Sequence, residues 1–219
     1  EGEETGGGIE AMVDHLRDKG LDACYGNHQS PFLPVGKISI VKGPSHAGCA
    51  GVEFDVIGKG GHGSRPDRCI NPLTATASII NSLTTAWVNQ LDLKNTVTFG
   101  LGAINGGSAS NVIPDSCNVK ATLRFFDDKA GEDALEVLKT VTRDVARAHK
   151  CEVEFSDYTR IVAYPTINDP EVSENAIKSL KDIYPDAFVE GKATFGSESF
   201  FGYSRLCPSV YTRYGVGNE

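Results

Sequence analysis

Methionine and tryptophan occur once each in this chain, and no stretch approaches the roughly 18 consecutive apolar residues of a membrane-spanning helix. Cysteine is present six times, as Cys24, Cys49, Cys69, Cys117, Cys151 and Cys207, but never as a Cys-x-x-Cys pair. That spacing argues against a zinc ribbon or a small disulfide framework. Buried reduced thiols are then the default, and a cytoplasmic, reducing compartment is the expectation. Basic excess is lacking too: the formal charge is −8, with pI near 5.2, which argues against a nucleic-acid binder. There is no internal repeat and no low-complexity segment. What remains is a composition of 40% hydrophobic and 23% charged residues spread over 219 positions, enough for one large domain or two small ones.

Glycine, by contrast, is concentrated. In Gly58-Lys59-Gly60-Gly61-His62-Gly63-Ser64-Arg65-Pro66 four glycines surround one imidazole. Glycine costs backbone entropy and is kept where a chain bends tightly or approaches something closely. The pattern fits a histidine offered from a loop to a ligand, although such a segment can also be only a turn. A second signal is Glu3-Glu4 ahead of Gly6-Gly7-Gly8. Its plain alternative is a solvated helix start, since carboxylates complement the positive end of a helix.

Periodicity predicts a helix over 6–19, a short strand over Ala23–Gly26 ending at Asn27-His28, and a strand over Val35–Lys42. Gly43–Gly51 reads as a loop crossing between domains. A regular unit follows. Strands are expected at Val52–Ile57, Val97–Ile104, Cys117–Phe126 and Cys151–Tyr158, with helices at Asn71–Trp87 and Gly131–His149. This β-α-β-β-α-β order is the split βαβ, ferredoxin-like arrangement, expected as a four-stranded antiparallel sheet with both helices on one face. Beyond it come a helix at Glu171–Ile183, a loop at Phe195–Phe201 and a strand at Ser209–Tyr214. The expected organisation is therefore a discontinuous α/β domain made of 1–49 and 158–219, interrupted by an α+β unit at 50–157.

The candidate chemistry lies in Glu3-Glu4, His28, His62 and Asn111. A carboxylate and an imidazole at the ends of α/β strands are divalent-metal ligands. A neighbouring carboxylate can act as general base on water whose pKa the metal lowers to about 7. A further histidine can stabilise the oxyanion of a tetrahedral intermediate. The set predicts metal-assisted hydrolysis of an amide-like bond. Judged alone, His28 also reads as a satisfied structural histidine.

The chain resembles the metal-dependent peptidases of the aminoacylase, hippurate hydrolase and indole-acetyl-amino-acid hydrolase family. The likeness covers essentially the whole length. It rests on the Gly58–Pro66 segment with Asn71-Pro72-Leu73, on Gly106-Gly107 with Ser110-Asn111-Val112-Ile113-Pro114-Asp115, on Gly196-Ser197-Glu198 and on Gly217-Asn218-Glu219. The resemblance implies part of a zinc-peptidase-like catalytic α/β domain with an inserted lid and dimerisation domain. It places the general base at Glu3 and metal ligands at Glu4 and His28. It makes His62 the lid histidine that polarises the scissile carbonyl, reached by lid closure or from a partner subunit. Asn111 falls on a substrate-binding lid position. Arg124, a less specific match, becomes a candidate for the substrate carboxylate or a strand-surface ion pair. Glu198 falls behind the ligands. The implied cofactor is a pair of divalent ions, zinc or manganese, and the implied substrate an N-acyl amino acid or similar amide conjugate. A homodimer through the lid is expected, with no nucleic-acid or membrane partner. Two departures stand out: Glu1-Gly2 replaces a proline and a small residue, and Ser199 replaces an aspartate. Only two of the family's metal ligands are found, so the chain reads as an internal fragment that alone is inactive. A metallo-exopeptidase and a non-catalytic dimerisation or binding module are the alternatives.

Overall fold

The computed structural model describes residues 8–217; Glu3 and Glu4 lie outside the described residues. In chain order the elements are α1 (Ile9–Leu16), β1 (Cys24–Pro34), β2 (Ile38–Ile40), β3 (Gly43–His46), β4 (Gly48–Ile57), β5 (Gly61–His62), α2 (Pro72–Gln90), β6 (Val97–Asn105), β7 (Val112–Ile113), β8 (Ser116–Phe125), α3 (Asp128–Ala148), β9 (Glu152–Phe155), β10 (Ile161–Ala163), β11 (Thr166–Asn168), α4 (Pro170–Ile183), β12 (Phe188–Glu190), α5 (Phe201–Ser204) and β13 (Ser209–Gly217). The chain divides into two compact units, Glu1–Gly48 with Ala163–Glu219, and Cys49–Val162.

The second unit carries a sheet in the order β9-β4-β8-β6, the strand order of a split βαβ, with β10 joining the same sheet beside β4. β9 runs antiparallel to β4, and β6 antiparallel to β8. Alternation along β8 sends Val119, Ala121, Leu123 and Phe125 inward, where Ile79 and Leu83 of α2 and Leu138 of α3 join one core. The opposite face is polar, with Lys120 paired to Glu53 at 3.0 Å and the Asn118 amide donating to Asp55. α2 starts where its sequence demands: the Asn71 side chain accepts from the Leu73 N–H, and Pro72 fills the first turn.

The first unit is built on a mixed sheet, β1-β13-β2-β12. β1 and β13 are parallel, while β2 runs antiparallel to β13. Val210, Ile40 and Ile177 form the core under α4, whose first turn is capped by the Asp169 carboxylate. α1 meets α5 at Gly202, where a Cβ would lie 2.7 Å from Ile9. The fully buried Asn168 side chain donates to the carbonyls of Val41 and Tyr211 and accepts from the Tyr211 N–H, pinning β13 in place.

Three expectations change. The segment 43–51 is not a loop: it forms β3, paired with β11, and the start of β4. Its alanines, Ala47 and Ala50, are fully buried, so small size here serves close packing. The expected four-stranded sheet has a fifth strand, because a turn over 156–160 returns the chain alongside β4 and lays β10 on it. The strand carrying His28 does not end at His28 but continues to Pro34, held by parallel pairing to β13.

Candidate functional site

Within the second unit, His62 sits on a two-residue strand. β5 pairs antiparallel with β7, His62 opposite Val112, and the Gly63 N–H donates to the Asn111 carbonyl at 2.8 Å. His62 and Asn111 are therefore neighbours. The flanking glycines have steric reasons. A Cβ on Gly58 would lie 2.2 Å from the Ile70 carbonyl oxygen, and one on Gly60 would lie 2.6 Å from that of Ile113. The Gly60 N–H also donates to the Asp115 carboxylate.

The His62 tautomer follows from its neighbours. The backbone N–H of Ser64 donates to His62 Nδ1 at 3.2 Å, and the Ser64 hydroxyl lies 2.8 Å from the same atom. An N–H can only donate, so Nδ1 accepts and the proton of the neutral ring is on Nε2. The exposed edge of this imidazole is a hydrogen-bond donor.

Arg124 is not beside them. It lies near the far end of β8, opposite Thr98, about 25 Å along the strand from the end that follows β7. There it faces Cys49, whose thiol burial pushes up while the Arg124 charge acts in the opposite direction.

In the first unit His28 shows the converse tautomer. Its Nδ1 lies 2.7 Å from the Gln29 carbonyl oxygen. A carbonyl only accepts, so Nδ1 carries the proton and Nε2 keeps its lone pair, exposed to solvent. Metal-binding histidines are commonly oriented in this way by a backbone carbonyl. His28 Nε2 is thus one nitrogen donor of the kind a divalent ion takes. Among the described residues, no three His, Cys, Asp or Glu side chains gather as a site.

His28 has company that sequence reasoning missed. It is in register with Arg213 on β13, and adjacent partners point to the same side of a sheet. Arg213 Nη2 donates to His46 Nε2 at 2.8 Å. His46 Nδ1 is 3.1 Å from Ser45 Oγ, which in turn donates to the Thr166 carbonyl. Burial pulls His46 from 6.5 down to about 4, the Arg213 and His28 charges adding to that and Glu198 opposing it. Two residues before Arg213, on the same face, the Tyr211 hydroxyl donates to buried Glu198 at 2.5 Å. Room for this comes from Gly26, where a Cβ would collide with the Phe200 and Tyr211 rings. Only Glu198 carried a sequence signal. His46 and Arg213 lie 167 residues apart and belong to no motif.

Residues 45–150 match the family model described as peptidase dimerisation domain. The chain is 30% identical over 222 residues to Thermostable carboxypeptidase 2 of Saccharolobus solfataricus, covering 99% of this chain and 55% of that protein. It is 31% identical over 221 residues to IAA-amino acid hydrolase ILR1-like 2 of Arabidopsis thaliana, covering 99% of this chain and 50% of the relative. A solved structure of a dinuclear metal binding peptidase from Bacillus subtilis has the same mixed α/β fold, with TM-score 0.78, 23% identity and coverage of 98% of this chain and 53% of that one. The chain spans about half the length of the curated relatives it matches. No helix among the described residues is long and apolar enough to cross a membrane.

Proposed function

We propose that this chain, which is similar to an IAA-amino acid hydrolase and a hippurate hydrolase over about half the length of each and carries a match to a peptidase dimerisation domain, holds part of the active site of an enzyme that hydrolyses the amide bond of N-acyl amino acids. The products are a carboxylic acid and an amino acid. In this reading 1–49 and 158–219 are part of a catalytic domain, and 50–157 is the lid that forms a homodimer. The observation that carries it is the pair of opposite histidine tautomers. One imidazole offers a lone pair and the other an N–H, which are the two things a metal-assisted amide hydrolysis needs from histidine.

Glu4 and His28 Nε2 would hold a divalent ion, zinc or manganese, one of a pair. When bound, such an ion lowers the pKa of water to about 7 and polarises a carbonyl. Glu3 takes the proton from the attacking water and returns it to the leaving nitrogen, a general base turned general acid. His62 donates its Nε2–H to the oxygen on which negative charge grows. Asn111, which precedes β7 and lies beside His62, orients the acyl group, while Arg124, distant along β8, is not used at this site. A second reading, cleavage of a C-terminal residue from a peptide, is favoured by the carboxypeptidase name of one relative.

The test uses the longest protein that carries this chain, assayed with N-acetyl- and N-benzoyl-amino acids beside dipeptides. Turnover of the acylated amino acids that Glu3→Gln abolishes, with metal content nearly unchanged, is the expected result. Full turnover by Glu3→Gln overturns the assignment, and exclusive cleavage of dipeptides favours the exopeptidase.

A further inference from the structure

We propose that Arg213, held by neutral His46, is a carboxylate-binding residue of the site. The inference rests on the amidohydrolase reading above and adds a specificity residue to it. Arg213 is half-buried and has no carboxylate partner among the described residues. Among the described residues its side chain donates to His46, a neutral acceptor, which orients the charge without neutralising it. The orienting chain is complete: Arg213 donates to His46 Nε2, His46 Nδ1–H to Ser45 Oγ, and Ser45 Oγ–H to the Thr166 carbonyl. Each acceptor in the chain faces a donor, so the guanidinium is fixed from behind.

In front of it is a cavity of about 390 Å³ within the first unit, in the size range that takes a small organic ligand. Arg213, His46 and Ser45 line it together with Lys192 and the apolar Phe32 and Val189. Glu190, on the exposed rim, is the one carboxylate among the lining residues. At one wall Gly191 lies so close that a Cβ would be 2.5 Å from Ser39 Oγ, which makes this wall backbone rather than side chain. Val189 and the largely exposed ring of Phe32, beside two cations, suit a molecule with one apolar arm and one carboxylate. Register places Arg213 beside His28 on the same sheet face, so a carboxylate bound there sits next to the proposed metal ligand. Guanidinium recognises carboxylate through paired N–H donors, a geometry that an ammonium lacks.

The experiment measures binding to the purified chain in EDTA, where no metal can hold an anion and no turnover occurs. The probes are N-acetylalanine and its neutral amide. Two more separate the sources of the carboxylate: N-acetylglutamine, free only at the α-carboxylate, and N-acetylglutamate α-amide, free only at the side chain. The wild-type chain is expected to prefer the acid over the amide by about tenfold or more, the value of a charge-assisted hydrogen bond. Arg213→Met should bring that ratio to about one, and Arg213→Lys should keep only part of it. His46→Gln, which retains an acceptor for Arg213, should preserve the ratio, whereas His46→Leu should lower it. Far-ultraviolet circular dichroism checks folding, and the lysine and glutamine variants stand in if the apolar ones misfold. An unchanged ratio in Arg213→Met, or no preference in the wild type, overturns the inference. Hydrolysis is assayed separately with metal, so a failure of the amidohydrolase reading is seen there and not in the binding ratio.

Discussion

At the scale of single residues, three histidines are each committed to one tautomer by a neighbour that can only donate or only accept. His28 faces a carbonyl, His62 faces an N–H, and His46 faces a guanidinium. The consequence for His46 is measurable. Its folded-state value, about 4, lies below its ordinary 6.5, so the unfolded chain binds more protons between those values. Its contribution to stability is complete above pH 6.5 and is lost as pH falls toward 4, in total about 3 kcal/mol. Denaturant unfolding at pH 7.5 and 4.5 should therefore show a loss in the wild type that exceeds the loss in His46→Gln by about 2–3 kcal/mol. Glu53 and Glu174, held below the usual carboxylate value by Lys120 and Lys42, titrate in both proteins and cancel. Equal losses would mean that His46 is not held neutral by the fold. Gly60→Ala is a second residue-scale test. The Ile113 carbonyl cannot move aside for a Cβ at 2.6 Å, so the variant should lose about 1–3 kcal/mol by the same unfolding measurement.

At the scale of elements, α2 lies on the sheet through Ile79 and Leu83, both fully buried, and turns Val88 to solvent. Leu83→Ala should cost about 2–5 kcal/mol of unfolding free energy. Val88→Ala should stay within about 0.5 kcal/mol. Comparable costs for the two would place the helix on the wrong face. The long helices were legible because apolar periodicity and capping residues agree, as at Asn71-Pro72 and Asp169-Pro170. α3 begins earlier than its pattern indicates, at Asp128 behind the Asp127 cap. Gly131, read as its start, lies inside it, because a Cβ there would strike the Phe125 ring. The strands of 43–51 were not legible, since small buried residues show no alternation. The extension of β1 past His28 depends on β13, some 185 residues later, and no local window contains that partner.

At the scale of the whole molecule, the match of 45–150 to a peptidase dimerisation domain predicts a homodimer. Sedimentation equilibrium of the purified chain should return close to twice 23.4 kDa; a monomer at all accessible concentrations would contradict this. Of the candidate site, His62 and Asn111 were each legible from a glycine-marked motif, but that they lie side by side follows from the pairing of β5 with β7. The His46–Arg213 pair was not, because it exists only once β3 and β13 are folded into one unit. Proximity of chemistry-bearing residues is a property of topology, and motif reading recovers only the part that is local in sequence. The division of roles between the two motif histidines is the central claim. It is tested most directly by measuring metal content and turnover together for His28→Ala and His62→Ala in the longest protein that carries the chain. The account predicts that His28→Ala loses metal, while His62→Ala keeps its metal and loses about a hundred- to a thousand-fold in turnover. Metal retained with full turnover in His28→Ala, or metal lost from His62→Ala, would contradict it.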